Sequence, residues 1–293
     1  MLRKFFPTLF ILLLIMTPKI DSQNFHSNFN VSGGWDEDFD LWSWYKDSRP
    51  FIEVNFGFGN VKHKKFMGDF AKVGLGELKI GYSTLDIASE DYIMELDDKY
   101  IFGSSITNKL RSGDATAGEV ESETYRFGFG RRDGYGYRVG KVIIVPYNQG
   151  AFVWTRIDFN PQGGLIPADT EILNRYNKAF RFGTLSEAGL KIEIASLISL
   201  NTSYEAAIIF PRHLFWKQAA SFMLEGIGYV SIDYFVNEVM DSTPAAAPII
   251  NFLLKNGFAY GVYLLEREKM NWPFETETPL TMETFKVGLT FTF

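Results

Sequence analysis

The sequence predicts an all-β fold: an antiparallel β-barrel of about ten strands, with an α-helical insert before the last two. Two patterns predict it. Apolar and polar residues alternate strictly along many segments, and glycine is frequent on the polar side of that alternation. A period of two residues gives each strand one apolar and one polar face. A β-sandwich shares this alternation, but small glycine side chains favour the crowded interior of a barrel.

The last segment of the chain has the clearest alternation. Its polar positions include Lys286 and Gly288, and its apolar positions are Phe285, Val287, Leu289, Phe291 and Phe293. A final strand that ends in an aromatic residue resembles the insertion signal of bacterial outer-membrane β-barrels. The resemblance implies a transmembrane barrel whose apolar residues face lipid and whose polar residues face the lumen. It also implies insertion by the barrel-assembly machinery as a partner.

The first residues follow the three-part plan of a secretory signal peptide. Arg3 and Lys4 precede an apolar run over 9–16, which is shorter than the roughly 20 residues of a membrane-spanning helix. Ser22 then offers a small residue for cleavage before Gln23, which resembles exports of Bacteroidota-type Gram-negative bacteria. The expected domains are a signal peptide at 1–22, a periplasmic lead-in at 23–50 and an outer-membrane barrel at 51–293.

Composition narrows the classes of function. The net charge of −6 argues against a nucleic-acid partner, and the absence of cysteine excludes disulfides and thiolate metal sites. An aromatic content of 16% suits the interfacial girdles of a membrane barrel. Beyond the signal peptide no long uninterrupted apolar run occurs, which disfavours a helical membrane protein.

Ten segments have the strand pattern, and eight to twelve strands are compatible with it. An even number places both termini on the periplasmic side. Asp133-Gly134 predicts a tight periplasmic hairpin turn, and 267–283 then becomes an outward loop. The segments are 51–59, 73–83, 97–104, 122–132, 134–145, 151–159, 188–198, 201–210, 257–266 and 284–293.

Charged residues recur on the polar face of these segments, where they are expected to point into the lumen. Structural ion pairs across strands are favoured over a transport or catalytic role, because polar residues inside are the rule in such barrels. The expected lumen charges are Glu77, Lys79, Arg126, Arg156, Asp158, Lys191 and Glu193.

The segment 211–256 has helical rather than strand spacing. Three helices are expected, at 214–224, 232–240 and 245–254, with Gly226 and Gly257 as stop signals. In the ten-strand count this insert lies on the periplasmic side. Its apolar residues must be covered, by folding into the lumen as a plug, by packing beneath the barrel, by lying along the inner leaflet, or by docking onto a periplasmic or membrane protein. A plug is favoured over docking because it needs no second molecule. A further short helix is expected after Pro167.

No catalytic, cofactor or metal site is expected. The three histidines are scattered and none has the spacing of a metal motif, while His213 and Ser221 lie eight residues apart without other support for a hydrolase. The first functional hypothesis is therefore a non-enzymatic structural or interaction component of the outer envelope, in contact with outer-membrane lipid. The alternative is a narrow channel or carrier for a small solute or lipid, gated by the helical insert.

Overall fold

The computed structural model describes residues 48–110 and 118–293, so the predicted signal peptide at 1–22 and nearly all of the predicted lead-in at 23–50 lie outside the described residues. In these ranges eight antiparallel strands close into one barrel, and β1 pairs with the last strand of the chain. A short strand, β2 (Asp69–Phe70), pairs in parallel with the first two residues of β5. The barrel strands are β1 (Arg49–Lys62), β3 (Val73–Ile87), β4 (Ile93–Thr107), β5 (Glu119–Val139), β6 (Val142–Pro161), β7 (Phe180–Ala195), β8 (Ile198–Ile209) and β9 (Leu280–Thr292).

The antiparallel barrel is confirmed, but two of the predicted strands do not exist as such. The segments 122–132, 134–145 and 151–159 form only two long strands, β5 and β6, of 21 and 20 residues. The chain turns at Gly140, which has a positive φ of 64°. Asp133-Gly134 lies inside β5, where a Cβ at position 134 would sit 2.4 Å from the carbonyl oxygen of Pro146. Glycine is required there by the close approach of β6 rather than by a turn.

Three α-helices lie in the described part of the chain: α1 (Pro167–Tyr176), α2 (Phe215–Ser242) and α3 (Ala247–Glu266). The predicted strand 257–266 is the second half of α3, which accounts for the other lost strand. Gly226 and Gly257 do not end helices, because each helix continues through its glycine. Measured by length and hydropathy together, no helix among the described residues qualifies as a membrane span.

The two rims of the barrel differ. The terminus end carries the start of β1, the end of β9 and the short connections 88–92, 140–141 and 196–197. The loop end carries the longer connections 63–72, 108–118, 162–179 and 210–279. The helical insert thus leaves and re-enters the barrel at the loop end, not at the end with the termini as the ten-strand count required. Strand β8 is the seventh barrel strand in chain order, so it finishes at the opposite rim.

Helices α2 and α3 form a hairpin that packs on the outside of the barrel wall, over β5 to β8. The tyrosine hydroxyl of Tyr137 donates to the Ala245 carbonyl oxygen at 2.6 Å, and the side chains of Asn148 and Asn256 are hydrogen-bonded. Both Tyr137 and Asn148 are outward positions of their strands. The expected plug in the lumen is therefore wrong for this insert, because inward positions are already filled by strand side chains.

Candidate functional site

The barrel wall has the opposite polarity to that of a water-soluble barrel. Along β1, for example, Glu53 and Asn55 point inward and are buried, while Ile52, Phe56 and Phe58 point outward and are exposed. The same alternation of charged inward and apolar outward positions recurs on β3 and β9. Two surfaces are therefore available for function: the lumen and the apolar outer wall.

Ten charged side chains form a single network across the middle of the lumen. Each of these residues is at most 4% exposed, so solvent does not reach them. Five are acidic and five are basic, which makes the network neutral overall. Its members in the described structure are Glu53, Glu77, Lys79, Asp98, Arg126, Arg132, Glu187, Lys191, Glu205 and Lys286.

Lys286 is one centre of this lumen network, in contact with three carboxylates. Its Nζ lies 2.6 Å from Glu187 Oε2, 2.8 Å from Glu205 Oε2 and 3.0 Å from Glu77 Oε1. These three carboxylates come from β3, β7 and β8, whereas Lys286 is on β9. Strands that are not neighbours in the wall are thus joined across the interior.

Arg132 is the second centre of the network. Its guanidinium contacts Glu53 through both terminal nitrogens at 2.8 Å and Asp98 through Nη1 at 3.1 Å. The guanidinium carbon lies 4.5 Å from the centre of the Tyr147 ring, and the Tyr147 hydroxyl donates to Glu187 at 2.9 Å. Bidentate geometry of this kind makes the strongest charge-assisted hydrogen bonds.

Neutral side chains donate further hydrogen bonds to the carboxylates of the network. Asn55 donates to both Glu53 and Glu77, at 2.8 and 3.0 Å. Gln149 donates to Glu187 at 2.6 Å and its oxygen accepts from Lys79 at 3.1 Å. A buried charge is tolerated only when it is paired and hydrogen-bonded. Each of the ten charged side chains has an oppositely charged partner, although Asp98 Oδ1 and Arg126 Nη2 lack a hydrogen bond. This pairing indicates a structural filling rather than a vacant binding site.

Apolar side chains fill the lumen on both sides of the charged layer. Towards the terminus end they are Leu85, Met94, Leu96, Ile143 and Val145. Towards the loop end a larger cluster includes Val61, Leu75, Ile106, Ile157, Leu185, Ile209 and Met282. An eight-stranded barrel is just wide enough for its interior to be filled by side chains. The lumen is consequently closed by three successive layers.

Helix α1 and the loop after β1 cover the loop end of the lumen. Leu173 and Tyr176 of α1 are buried in the apolar cluster, and Asp169 accepts from the backbone amides of Met67 and Gly68 at 3.0 and 3.1 Å. His63 Nε2 donates to the Thr278 carbonyl oxygen at 3.2 Å, and burial lowers the pKa of His63. These hydrogen bonds join helix α1 to the loop after β1, and they join that loop to the segment before β9.

Outside the barrel, the hairpin of α2 and α3 attaches to the wall through a polar contact. Lys255 of α3 is buried and forms ion pairs with Asp133 of β5 and, at 2.7 Å, with Asp233 of α2. One cation thus links both helices to the barrel. The sequence did not indicate this contact, because the Asp133-Gly134 dipeptide predicts a hairpin turn rather than an outward position in a strand.

Replacing Lys255 with Met is expected to weaken the attachment of the hairpin. Asp133 and Asp233 would lose their cation, which should lower the free energy of unfolding by about 1–2 kcal/mol after allowance for the half-exposed Asp233. Hydrogen exchange should accelerate within 215–266 relative to the strands. Lys269→Met removes a solvent-exposed local pair with Glu275 and is the matched control. Unchanged exchange in Lys255→Met would contradict the role of this contact.

The expected lumen charges fall into three groups. Glu77, Lys79, Arg126 and Lys191 lie in the buried network. Glu193 faces inward near the terminus end, 3.9 Å from Arg49, and is less buried. Arg156 and Asp158 lie on the outer surface, where their side chains are 43% and 36% exposed, so their placement in the lumen is corrected. On β6 the apolar residues Val153 and Ile157 face inward, because the interior is apolar at the loop end.

Six members of the lumen network were not singled out from the sequence: Glu53, Asp98, Arg132, Glu187, Glu205 and Lys286. Glu53 and Lys286 do lie on the polar side of alternating segments, so that signal was present. Arg132 and Glu187 lie where the strand boundaries were misplaced. The final segment, which resembles an insertion signal, has its apolar residues on the outside of the barrel. They are Phe285, Val287, Leu289, Phe291 and Phe293, on or just after β9.

Among the described residues, the serine and histidine considered for a hydrolase are not brought together. Ser221 donates to the Trp272 carbonyl oxygen at 2.7 Å and to Glu266 at 3.3 Å, whereas the His213 ring lies 5.9 Å from the Phe182 ring. The two side chains that a hydrolase would need are thus engaged separately. In 48–110 and 118–293 no three His, Asp or Glu side chains are grouped as metal ligands.

Comparison with known proteins yields a limited likeness. No protein-family model matches the chain, and no curated protein matches it. Among solved structures, Neisserial surface protein A (NspA) is 9% identical with a TM-score of 0.38, covering 83% of this chain and 97% of its own. Ail, the attachment invasion locus protein of Yersinia pestis, is 10% identical with a TM-score of 0.35, covering 84% and 99%.

The outer membrane protein OprG from Pseudomonas aeruginosa is 10% identical with a TM-score of 0.28, covering 84% of this chain and 97% of its own. Likeness at this level transfers neither function nor site residues. The architecture described above rests instead on strand pairing and on the polarity of the wall.

Proposed function

We propose that this protein is an integral barrel of the bacterial outer membrane that acts as a non-enzymatic structural or interaction component of the envelope, and not as a pore. The observation that carries the proposal is the filled lumen. A neutral network of ten buried charges lies between two apolar layers, so the interior provides stability and the outer surfaces remain for function.

The outer wall supports location in a membrane. Its exposed apolar residues form a band of the kind that faces lipid in outer-membrane barrels. Outward ion pairs lie towards the rims: Lys62 with Glu283 at 2.6 Å near the loop end and Arg131 with Asp97 at 2.8 Å towards the terminus end. The band itself includes Ile52, Phe56, Leu78, Ile80, Ile101, Phe127, Phe285, Val287 and Leu289.

The filled interior disfavours the alternative of a narrow channel. A permeating ion would have to displace side chains such as Lys286 and Arg132, each held by at least two carboxylates within about 3 Å. Opening the path would leave charges unpaired in a low-dielectric interior, which costs several kcal/mol for each ion. The hairpin cannot serve as a gate in the lumen because it lies outside the wall.

The refolded mature protein is expected to give no steady single-channel conductance in a planar bilayer. A porin inserted in the same bilayer shows that the assay detects conduction, and protease protection of the barrel strands in matched vesicles shows that this protein has inserted. Steady conductance of the inserted protein would contradict the sealed lumen. Failure to insert, with the chain recovered in the soluble fraction, would contradict the membrane location.

A further inference from the structure

We propose that the hairpin of α2 and α3 lies within the membrane, against the barrel wall, with its outward face in contact with lipid acyl chains. This inference rests on the proposed membrane location and adds a second kind of lipid-facing element to it. Four observations carry it: the path of the hairpin, the polarity of its two faces, the wall beneath it and the pairing of its charges.

The hairpin follows the wall from one rim to the other. Near the loop end, the Tyr263 hydroxyl of α3 donates to Glu283 at 3.0 Å. Near the terminus end, Met240 and Ala247 pack with Ile93, the first residue of β4. The 20 residues of α3 are about 30 Å long, against a lipid-facing band of about 25 Å in such barrels. The hairpin therefore has the height of the membrane.

The two faces of α3 have opposite polarity to those of a helix in water. The face against the wall follows helical spacing and is largely polar or small: Ala247, Asn251, Lys255, Ala259, Tyr263 and Glu266. The outward face of the hairpin carries thirteen large exposed apolar side chains, from Trp216 at 82% to Leu254 at 38%: Phe215, Trp216, Met223, Leu224, Ile227, Val230, Tyr234, Phe235, Ile249, Leu253, Leu254, Tyr260 and Leu265.

Water is an unsuitable solvent for this outward face. Soluble monomers rarely expose a contiguous apolar patch of more than a few hundred Å². The apolar faces of α2 and α3 lie side by side, because Gly228 lets α2 approach the Phe258 ring of α3. Together they form one apolar surface, and it continues around the barrel into the outward residues of the uncovered wall.

The wall beneath the hairpin differs from the wall that is left uncovered. Towards the loop end the hairpin covers apolar outward residues, among them Phe152, Phe182 and Ile208. Under the middle of α3 the outward positions are small or polar, including Asn148, Ser186, Ala188 and Ala206. The uncovered strands β1, β3 and β9 present phenylalanine, isoleucine and leucine instead. Polar side chains on a lipid-facing wall are costly. The hairpin thus covers the sector that lipid would solvate poorly and presents an apolar surface in its place.

Lys255, the cation on the wall-facing side of the hairpin, is paired with a carboxylate of the wall. Lys255 is held between Asp133 and Asp233, and Glu266 accepts from Ser221. Lipid is the occupant that this arrangement favours over a second protein, because the hairpin's height matches the lipid-facing band and its outward face continues that band. The exposed charged residues Lys217, Glu238 and Asp241 lie near the two ends of α2, where the membrane borders water.

Nitroxide labelling tests the proposal, and the absence of native cysteine makes single labels straightforward. Labels at Ile227→Cys and Tyr260→Cys probe the outward face of each helix. Val287→Cys on the barrel wall is the lipid reference, and Glu171→Cys, on the exposed face of α1, is the aqueous reference. In vesicles of the pure protein, we measure accessibility to oxygen and to a water-soluble nickel complex.

Both hairpin labels are expected to match Val287→Cys, with high oxygen and low nickel accessibility. High nickel accessibility at Ile227→Cys and Tyr260→Cys would overturn the inference, and low accessibility to both reagents would overturn it in favour of a protein contact. If Val287→Cys is also accessible to nickel, the proposed membrane location itself fails. Lipid exposure at Val287→Cys alone would leave that location standing while the hairpin inference falls.

Discussion

Lys286→Met is expected to lower the free energy of unfolding by about 3–5 kcal/mol, the usual effect of removing one partner of a buried ion pair. Glu77, Glu187 and Glu205 would lose their shared cation inside a layer that solvent does not reach. Lys79 and Arg126 still contact these carboxylates, but they already neutralise other charges. Three strands would thereby lose their common link to β9.

Urea unfolding in lipid vesicles, followed by tryptophan fluorescence, measures the change. Lys72→Met makes the same substitution at an exposed position and should leave stability nearly unchanged. Adding Glu187→Gln to Lys286→Met should recover part of the loss, because it removes one uncompensated carboxylate. A loss below about 1 kcal/mol in the single variant would mean that the network does not depend on its central cation.

Gly189→Ala is expected to lower the free energy of unfolding by about 3 kcal/mol, near the upper range for overpacking. A Cβ at this position would lie 2.3 Å from Cζ of the Tyr147 ring. Tyr147 is fully buried, stacks on Arg132 and donates to Glu187, so its ring has no free direction in which to move. Added volume at Gly189 would therefore disturb both centres of the charge network.

Gly150→Ala is the matched control, because a Cβ there meets no atom within 4 Å. The same unfolding assay should show little change for Gly150→Ala. Near-equal stability of the two alanine variants would contradict the tight fit around Tyr147. A large loss confined to Gly189→Ala would show that lumen packing, and not general strand propensity, determines the stability of this barrel.

The lumen and the hairpin illustrate one physical constraint in two places. A charged or polar group away from water needs a partner, and both elements supply partners from distant strands or helices. In the lumen, carboxylates of β1, β3, β7 and β8 meet cations of β3, β5 and β9. On the wall, Asp133 of β5 meets Lys255 of α3. Stability of the barrel is thus coupled to how its side chains cross the interior and cover the wall.

The sequence by itself determined the antiparallel barrel, the outward apolar face of Phe285 to Phe291 and the presence of a helical insert. Local periodicity indicates these properties, because the spacing of apolar residues along one short segment distinguishes a strand from a helix. It also indicated Glu77, Lys79, Arg126 and Lys191 as inward charges.

Only the tertiary structure decided the strand count, the inward or outward phase of β6 and the location of the insert. Asp133-Gly134 has the dipeptide of a tight turn, yet close packing of β6 explains the glycine and Lys255 pairs with the aspartate. Arg156 and Asp158 alternate with apolar residues that fill the lumen rather than face lipid. These properties depend on which residues, distant in sequence, pack against each other. An alternating pattern does not show by itself which of its two sets of residues faces the lumen.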